Sequence, residues 1–385
     1  MQFVLVDIPY RSKFYPFSLT RSISEIRVGI LSIQERWELM METKFDVLTE
    51  GYLQELYPSE ALKQDDFVVF VNATCIPSAV VKSALLELKE GENLLDEDGK
   101  WIASKTKERE IGKILLGDPN FKTTVPAKFI KDAMHLLQLN SDFIKADFIL
   151  STKHKTSVLT DEYTRLICPE NIFIEPGAVL SGVSLNATEG PIYIGKDCLI
   201  MEGVAIRGPF VLGNKSVIKM NTSIYGATTI GPNCTIGGEI KNSIIFGYSN
   251  KAHEGYLGDS IIGQWCNLGA GTTNSNVKNT AGAIQIWNQD QKSWDIVGNK
   301  MGMLVGDYTR FAIHSSINTG SYIGVSANIY GNGLLPKMIP NFSWGITKGY
   351  LIDKAIEDIQ NWKKMKGFQI TATEKKVLNT LFHME

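Results

Sequence analysis

The sequence of 385 residues has no long apolar run, little net charge and few cysteines. No stretch approaches the roughly 18 apolar residues of a membrane-spanning helix. The formal net charge of −2 lacks the basic excess typical of nucleic-acid binding, although a discrete phosphate pocket needs only a few residues. The apolar N-terminus is broken by Asp7 and lacks a basic flank and a small-residue cleavage site. It therefore predicts a first strand rather than a signal peptide.

The five cysteines are scattered and odd in number, which indicates neither a disulfide framework nor a metal site. Cys198, Cys234 and Cys266 occupy small positions of the repeat described below, where a free thiol packs as a small hydrophobic group. The content of 44% hydrophobic and 21% charged residues is that of an ordinary globular protein. We expect a cytoplasmic protein that holds no metal in these positions and binds neither nucleic acid nor membranes.

An apolar residue recurs every six positions through the middle of the chain. The members of this series are Ile194, Ile200, Ile206, Leu212, Ile218, Ile224, Ile230, Ile236, Ile262, Leu268, Val305, Phe311, Ile317, Ile323 and Ile329. A period of six fits neither a 3.6-residue helix nor a free-standing strand. It predicts a parallel β-helix of hexapeptide rungs, with three rungs in each of about nine turns. A coil of this kind has flat sides that pack well in trimers and that can bind acyl carriers.

Glycines and interruptions punctuate this repeat. A glycine often follows the apolar residue, as at Gly213 and Gly231, which predicts corners that need positive φ or close main-chain approach. The six-residue pattern lapses at 181–193, 242–256 and 275–304. In a solenoid such lapses predict loops that project from one face, where a site is expected.

The remaining segments predict two other regions. Apolar runs alternate with helix-like spacing before residue 155, which predicts an α/β layer domain over 1–155, followed by the β-helix over 165–345 and C-terminal helices over 346–385. The individual elements predicted are strands at 3–8 and 66–73, a hairpin at 94–103, and helices at 24–42 (with Ser24 as N-cap), 78–92, 131–150, 351–366 and 371–384. We interpret the C-terminal helices as a cap over the open end of the coil or over a neighbouring subunit.

His253 is the strongest candidate for chemistry, because it lies in the lapse between two segments of the coil. Acyl transfer to an amine needs a base near neutral pKa that takes the proton as nitrogen attacks a thioester. A histidine in a loop is more often an ordinary surface residue. His314 lies in a rung, where it can simply pack or line a subunit contact.

Candidate ligand-binding residues surround His253 in sequence. Lys241 and Tyr256 could bind an anionic phosphate, and Asn267 and Asn276 could orient a sugar or the amides of a carrier. The stretch Gly269-Ala270-Gly271 would let a pantetheine arm lie close to the main chain.

The segments EIKNSII and KAHEGYLGDSIIGQWCNLGAGTTNSN resemble the acetyltransferase part of a bacterial bifunctional family. That family joins glucosamine-1-phosphate acetyltransferase to N-acetylglucosamine-1-phosphate uridylyltransferase. The resemblance implies His253 as general base, Lys241 as phosphate ligand, and Tyr256, Asn267 and Asn276 as substrate contacts. It also implies a left-handed β-helix, an exception to right-handed crossovers, and a homotrimer with acetyl-CoA between neighbouring coils. INTGSYIGVSANIYGNGLLPKMIPNFSWG resembles the end of the coil in a shortened branch of the family.

The segment FYPFSLTRSISEIRVGILSIQERWE resembles the opening motif of the sugar nucleotidyltransferase-like domain of that branch. Nucleotidyl transfer needs positive charge against the triphosphate and carboxylates that hold Mg²⁺. The resemblance implies UTP as a substrate and Mg²⁺ as a cofactor if this domain is active. Arg21 and Arg27 are the expected phosphate contacts, with Lys13 as a further one.

The N-terminal segment departs from the family pattern at three places. The glycine-rich start is absent, Ser22 stands where the branch commonly has proline, and Asn72 stands where ordinary members have a metal-binding aspartate. Amide oxygen is a weaker ligand than carboxylate for a hard dication. The nearby acidic residues, interpreted as solvated or structural, are Asp7, Asp65 and Asp66.

Three functions remain open at this point. The first is an amino-sugar-1-phosphate N-acetyltransferase fused to a nucleotidyltransferase-like domain that is either active or a relic. The second is a sugar-1-phosphate nucleotidyltransferase whose coil only oligomerises, and the third is a non-catalytic β-helix scaffold. The retained set of His253, Tyr256 and the asparagines ranks the first function highest.

Overall fold

The computed structural model describes residues 1–62, 66–116 and 122–384. They fall into two compact units. The first unit contains Met1–Phe14, Thr20–Ile26 and Leu31–His135, and the second contains Tyr15–Leu19, Arg27–Ile30 and Leu136–Glu385. Two short segments of the N-terminal region thus belong to the same unit as the coil. None of the described helices is both long and apolar enough to cross a membrane.

A six-stranded sheet forms the centre of the first unit, in the order β2-β1-β3-β6-β5-β7. The strands of this unit are β1 (Gln2–Val6), β2 (Phe45–Leu48), β3 (Val68–Asn72), β4 (Cys75–Ile76), β5 (Asn93–Leu95), β6 (Trp101–Thr106), β7 (Lys122–Thr124) and β8 (Lys128–Phe129). β1 runs parallel to β2 and β3, whereas β6 is antiparallel to β3 and β5. The helices are α1 (Ile33–Met41), α2 (Gly51–Gln54), α3 (Ala79–Glu87) and α4 (Ile111–Leu116). The α/β class, both strands and the hairpin expected from the sequence are confirmed.

The helix predicted over 24–42 is wrong in its first half. Residues Ile23–Glu25 form only a 3-10 turn, and α1 begins at Ile33. Ser32, rather than Ser24, caps α1 and forms a capping box with Glu35. The interruption lies at Gly29, whose φ of +72° no side chain adopts readily.

Three parallel sheets build the coil of the second unit. Face 1 contains Ile172–Ile174, Ile192–Ile194, Phe210–Leu212, Thr228–Ile230, Ile244–Ile245, Ile261–Ile262, Met303–Val305, Ser321–Ile323 and Met338–Ile339. Face 2 contains Val179–Leu180, Leu199–Ile200, Val217–Ile218, Thr235–Ile236, Asn250–Lys251, Asn267–Leu268, Arg310–Phe311, Asn328–Ile329, Ser343–Trp344 and the antiparallel Thr347–Lys348. Face 3 contains Arg165–Ile167, Ser184–Asn186, Ala205–Arg207, Ser223–Tyr225, Glu239–Lys241 and Tyr256–Gly258, and the pair Thr273–Asn274 and Ser316–Ile317 follows it in the coil. The predicted parallel β-helix is confirmed.

The apolar residues of the six-residue series all lie inside the coil, each at most 4% exposed. The glycines that follow them are required by close main-chain approach, because a Cβ on Gly213 would lie 2.5 Å from the Gly231 carbonyl carbon. Positive φ instead falls two residues later, at non-glycine residues such as Lys215 and Asn233. All five cysteines are free thiols.

Only one of the predicted loops is a large projection. Residues 275–304 contain an antiparallel hairpin formed by Ile284–Asn288 and Ser293–Gly298. By contrast, the segment 242–256 contains regular strands of faces 1 and 2 and continues their ladders. The prediction of a projecting loop there is wrong, because the pattern lapsed for another reason. The inward residues Ile236, Ile240 and Ile245 are four and five positions apart instead of six, because the corners between them are shorter.

Three helices pack along the sides of the coil. They are α5 (Ala133–Thr152), α6 (Ile352–Met365) and α7 (Ala372–His383). Asn140 of α5 donates to the Ala227 carbonyl at 2.8 Å and accepts from Thr229 of face 1 at 2.9 Å. α6 and α7 form a core with the corner residues Trp265, Tyr308 and Phe342. The C-terminal helices therefore cover a side of their own coil, and the interpretation as a cap over its open end is wrong.

Candidate functional site

His253 lies at a tight corner of the coil, between the face-2 strand Asn250–Lys251 and the face-3 strand Tyr256–Gly258. Its side chain is exposed. Within the described parts of the chain, the imidazole has no hydrogen-bond partner. The imidazole is therefore accessible from solvent at the edge of the coil. The structure thus places His253 on a corner and not in a loop that projects.

In each of the next two turns of the coil, the corresponding corner is hydrogen-bonded to the corner of the turn before it. The Gly271 N–H donates to the Glu254 carbonyl at 3.1 Å, and the His314 N–H donates to the Ala270 carbonyl at 2.7 Å. Gly271 has a φ of +72°, and a Cβ there would lie 2.4 Å from Nδ1 of His314. The glycines at 269 and 271 therefore allow the next turn to pack closely on this half-buried corner.

Tyr256 and Asn276 are in direct contact, although they are twenty positions apart. The Asn276 amide donates to the Tyr256 hydroxyl at 3.1 Å and to Oδ2 of Asp259 at 2.5 Å. Asn242 donates to the other oxygen of Asp259 at 2.6 Å. Burial, followed by the negative charge of Asp259, raises the pKa of Tyr256 to about 12. The phenol therefore stays protonated at neutral pH and retains a hydrogen-bond donor.

Lys241 lies on the neighbouring strand of face 3, where it pairs in register with Tyr225 and Gly258. Its ammonium is 5.7 Å from the centre of the Tyr225 ring. The Tyr225 hydroxyl donates to Glu239 at 2.5 Å. A groove of about 530 Å³ follows this face, and its polar lining includes Asn186, Glu189, Arg207, Tyr225 and Lys241. Two cationic side chains, Arg207 and Lys241, thus line one groove.

Asn267 is separated from this group by the corner itself, because it belongs to face 2. It accepts from Asn250 at 3.4 Å, and Asn250 in turn accepts from the ammonium of Lys366 at 2.9 Å. Its surroundings are therefore shaped by the chain that follows α6. The structure brings Lys241, Tyr256 and Asn276 to one surface and leaves Asn267 on another.

Lys251 is a charged residue of this region that the sequence interpretation missed. It occupies an inward position of face 2, in register with Ile236, and is 2% exposed. Six-residue spacing between Ile245, Lys251 and Leu257 could have revealed it. Burial lowers the pKa of the Lys251 ammonium to about 8, against a smaller opposing effect of Glu254.

This lowered pKa predicts that the stability of the coil depends on pH. A lysine with a lower pKa in the folded state binds fewer protons there than in the unfolded chain between about pH 8 and the ordinary value of 10.5. Its contribution to the free energy of unfolding therefore rises with pH through that window. We expect the wild type to gain about 1–2 kcal/mol over Lys251→Met between pH 7.5 and 9.5. Urea unfolding at both pH values measures this, and a difference that does not change with pH would contradict it.

The three basic residues predicted to contact a nucleotide lie in different environments. Lys13 is exposed at the end of the 3-10 segment Ile8–Phe14. Arg21 is buried, and its carbonyl accepts from Arg11 at 3.2 Å. Arg27 belongs to the coil unit, where its guanidinium donates to the Ile30 carbonyl. The role of each as a phosphate contact stays a prediction.

A buried ion pair occupies the carboxyl end of β1. Oδ2 of Asp7 lies 2.9 Å from Nη1 of Arg11 and also accepts from the Ile23 N–H at 2.8 Å. Arg11 donates further to the Thr49 hydroxyl at 2.8 Å. Asp7 is therefore structural, while Asp66 is exposed and Asp65 lies outside the described residues.

Asn72, at the end of β3, has its side chain fully engaged. Its amide nitrogen donates to the Trp101 carbonyl at 2.9 Å, and its oxygen accepts from the N–H and hydroxyl of Thr74 at 2.9 and 2.8 Å. Oδ2 of Asp7 is held by Arg11, while Oδ1 is buried with no hydrogen-bond partner among the described residues. One carboxylate oxygen beside a guanidinium does not make a Mg²⁺ site, and no three potential ligands cluster in the described parts of the chain. Mg²⁺ prefers free carboxylate oxygens in octahedral geometry.

Comparisons with known proteins give a family match for the N-terminal residues and several relatives of partial coverage. Residues 3–156 match the model of the family described as Sugar nucleotidyl transferase. The bifunctional protein GlmU of Thermodesulfovibrio yellowstonii is 29% identical over 199 residues, covering 47% of this chain and 39% of its own length. GlmU of Synechococcus elongatus is 27% identical over 204 residues, covering 50% and 40%. GlmU of Methanococcus vannielii is 31% identical over 143 residues, covering 37% and 33%.

Two solved structures show only a distant likeness. The UDP-N-acetylglucosamine acyltransferase of Francisella novicida has a TM-score of 0.28 and 16% identity, covering 57% of this chain and 74% of its own. The polySia-specific acetyltransferase NeuO has a TM-score of 0.26 and 15% identity, covering 54% and 99%. The function proposed below rests on neither.

The chain therefore joins a sugar nucleotidyl transferase-type α/β domain to a parallel β-helix. Over part of its length it is similar to the bifunctional GlmU proteins, so the family resemblance inferred from the sequence is confirmed. The chain spans only a third to two fifths of the length of these curated relatives.

Proposed function

We propose that the coil transfers the acetyl group of acetyl-CoA to the amine of an amino-sugar 1-phosphate, with glucosamine 1-phosphate as the substrate. The observation that carries this proposal is the exposed His253 at a corner of the coil, three residues before a tyrosine that Asn276 holds. The relationship to the bifunctional GlmU proteins supports the choice of substrate.

The proposed reaction is direct and needs no acyl-enzyme. The amine nitrogen attacks the thioester carbonyl while His253 takes the proton that this nitrogen loses. The carbon–sulfur bond then breaks, and the proton passes to the sulfur of CoA. Main-chain N–H groups of the corners would stabilise the negative oxygen of the tetrahedral intermediate. The half-buried stretch Gly269-Ala270-Gly271, on the next corner of the coil, would border the pantetheine arm.

Release of the CoA thiol with a panel of acceptors tests this function. We expect thiol release to require an amino-sugar 1-phosphate, with little release for the N-acetylated sugar phosphate or for the free amino sugar. Thiol release that is independent of the acceptor, or absent with every amino-sugar phosphate, would contradict it.

Lys241 is proposed to bind the phosphate of the sugar, supported by its place in the groove of face 3, which Arg207 also lines. Losing one charged hydrogen bond costs about 1.5–3 kcal/mol. Lys241→Ala should therefore raise the KM for the sugar phosphate by roughly 10- to 100-fold and leave the KM for acetyl-CoA unchanged. Lys196→Ala, at an exposed corner between faces 1 and 2, is the control and should change neither KM. Equal effects of the two substitutions would remove Lys241 from the phosphate site.

A second activity is favoured by the match of residues 3–156 to sugar nucleotidyl transferases. We propose, as the second candidate, the transfer of UMP from UTP to N-acetylglucosamine 1-phosphate. The engaged side chains of Asp7 and Asn72 rank it below acetyl transfer. Pyrophosphate release that Arg21→Ala abolishes would establish it. The homotrimer and the cytoplasmic location expected from the sequence stay predictions.

A further inference from the structure

A buried ammonium lies directly beneath the His253 corner. Nζ of Lys251 donates to the main-chain carbonyl of Gly237 at 3.0 Å and to the main-chain carbonyl of His253 itself. Its neighbours in the same inward column of face 2, Ile236 and Ile218, are both apolar. The lysine therefore departs from the pattern of the coil at the single turn that carries His253.

Burial of an ammonium is unfavourable by several kcal/mol unless hydrogen bonds replace its hydration. Here the two acceptors come from successive corners, one before His253 and one at His253. The negative charge of Glu254, which is exposed at the same corner, opposes the effect of burial on the pKa of Lys251 only in part. The hydrogen bonds of Lys251 thus tie the two corners together through the interior of the coil.

The preceding corner is shaped to admit this ammonium. Gly238 has a φ of +78°, and a Cβ there would lie 2.9 Å from Nζ of Lys251 and 2.8 Å from the His253 carbonyl oxygen. A Cβ on Gly237 would lie 3.2 Å from the His253 nitrogen. Two adjacent glycines therefore leave the space that the ammonium and the His253 main chain occupy.

We propose that Lys251 is a positioning residue for His253: its buried ammonium fixes the His253 carbonyl inside the coil and so sets the direction in which the imidazole leaves the corner. This inference rests on the proposed function, in which His253 is the general base. The imidazole has no partner of its own among the described residues, so its placement depends on the main chain. A displacement of about 1 Å at a reacting group can cost about 100-fold in rate.

The test is Lys251→Met, which keeps the length and apolar stem of the side chain and removes the charge. We expect kcat for acetyl transfer to fall at least 20-fold while the KM for the sugar phosphate changes less than twofold. Ile218→Ala is the matched control, since it opens the interior of face 2 two turns earlier without touching His253. Its kcat should stay within twofold of the wild type. A full rate for Lys251→Met, or an equal loss in Ile218→Ala, would overturn the proposal.

Chemical rescue separates positioning from general loss of structure. Lys251→Ala lacks the three methylenes and ammonium that n-propylamine supplies, so added n-propylamine should restore part of kcat in a saturable way. 1-Propanol, which has the same size and no charge, should not. Equal rescue by the alcohol, or no rescue by the amine, would overturn the role of the ammonium.

A readout that needs no activity distinguishes failure of this inference from failure of the proposed function. Backbone amide hydrogen exchange over residues 252–255 should speed up at least tenfold in Lys251→Met and stay unchanged in Ile218→Ala. If the wild type transfers no acetyl group but exchange responds in this way, the function is wrong and Lys251 still fixes the corner. If exchange over 252–255 is unaffected, the positioning role is wrong whatever the activity.

Discussion

His253→Ala should lower kcat for acetyl transfer by about 100- to 10,000-fold, the usual contribution of a general base. The imidazole is exposed at its corner and has no protein partner within the described residues, so its removal should not disturb the fold. The KM values for both substrates should change little, because Tyr256, Asn276 and Lys241 remain. Continuous detection of the CoA thiol measures the rate, and added imidazole should restore part of it.

His154→Asn is the matched control for this prediction. His154 is also exposed in the coil unit and has a φ of +62°, which asparagine adopts more readily than most residues. Its rate should equal that of the wild type. The general-base assignment is wrong if His253→Ala keeps a near-full rate. It passes to the corner two turns later if His314→Ala alone removes activity.

Asp7→Ala should destabilise the first unit by about 3–5 kcal/mol, because it leaves the guanidinium of Arg11 buried without its carboxylate. Asp7 is fully buried and Arg11 is 3% exposed. The same substitution also removes the acceptor of the Ile23 N–H. Urea unfolding followed by tryptophan fluorescence measures the loss, since Trp37 and Trp101 lie in the core of this unit.

Glu357→Ala is the control for the ion pair. Glu357 pairs with Lys354 on the surface of α6, where both side chains are more than half exposed. Such pairs contribute about 0–1 kcal/mol, so stability should barely change. The double substitution of Asp7 and Arg11 by leucine should recover part of the loss. A loss below about 1 kcal/mol for Asp7→Ala would show that the pair does not hold the end of β1.

The coil could be predicted from the sequence because its structure follows from local spacing. Each side chain of the six-residue series has to point inward on one of three flat faces, and the burial of every member confirms this. The helix predicted over 24–42 was wrong because of a contact between residues that are far apart in sequence. Gly29 packs where a Cβ would lie 2.5 Å from Asp147 of α5, and that contact is invisible in the local spacing of residues 24–42.

The candidate site was predictable as a set of residues but not as an arrangement. The link between Asn276 and Tyr256 spans a full turn of the coil. Asp259 accepts from Asn276 on one oxygen and from Asn242 on the other. Asn267 was expected with them, yet register places it on face 2. Lys251 was overlooked because a charged residue was not expected inside the coil. The main-chain carbonyls that accept its hydrogen bonds are known only from the structure.

The most direct test of the central claim, that the corner of His253 is an acetyltransferase site, is a single incubation resolved by mass spectrometry. The full chain is mixed with glucosamine 1-phosphate, acetyl-CoA, UTP and Mg²⁺. We predict N-acetylglucosamine 1-phosphate in an amount equal to the CoA released, and its absence with His253→Ala. Additional UDP-N-acetylglucosamine would show that the N-terminal domain is active as well. Unchanged glucosamine 1-phosphate with folded protein would contradict the claim.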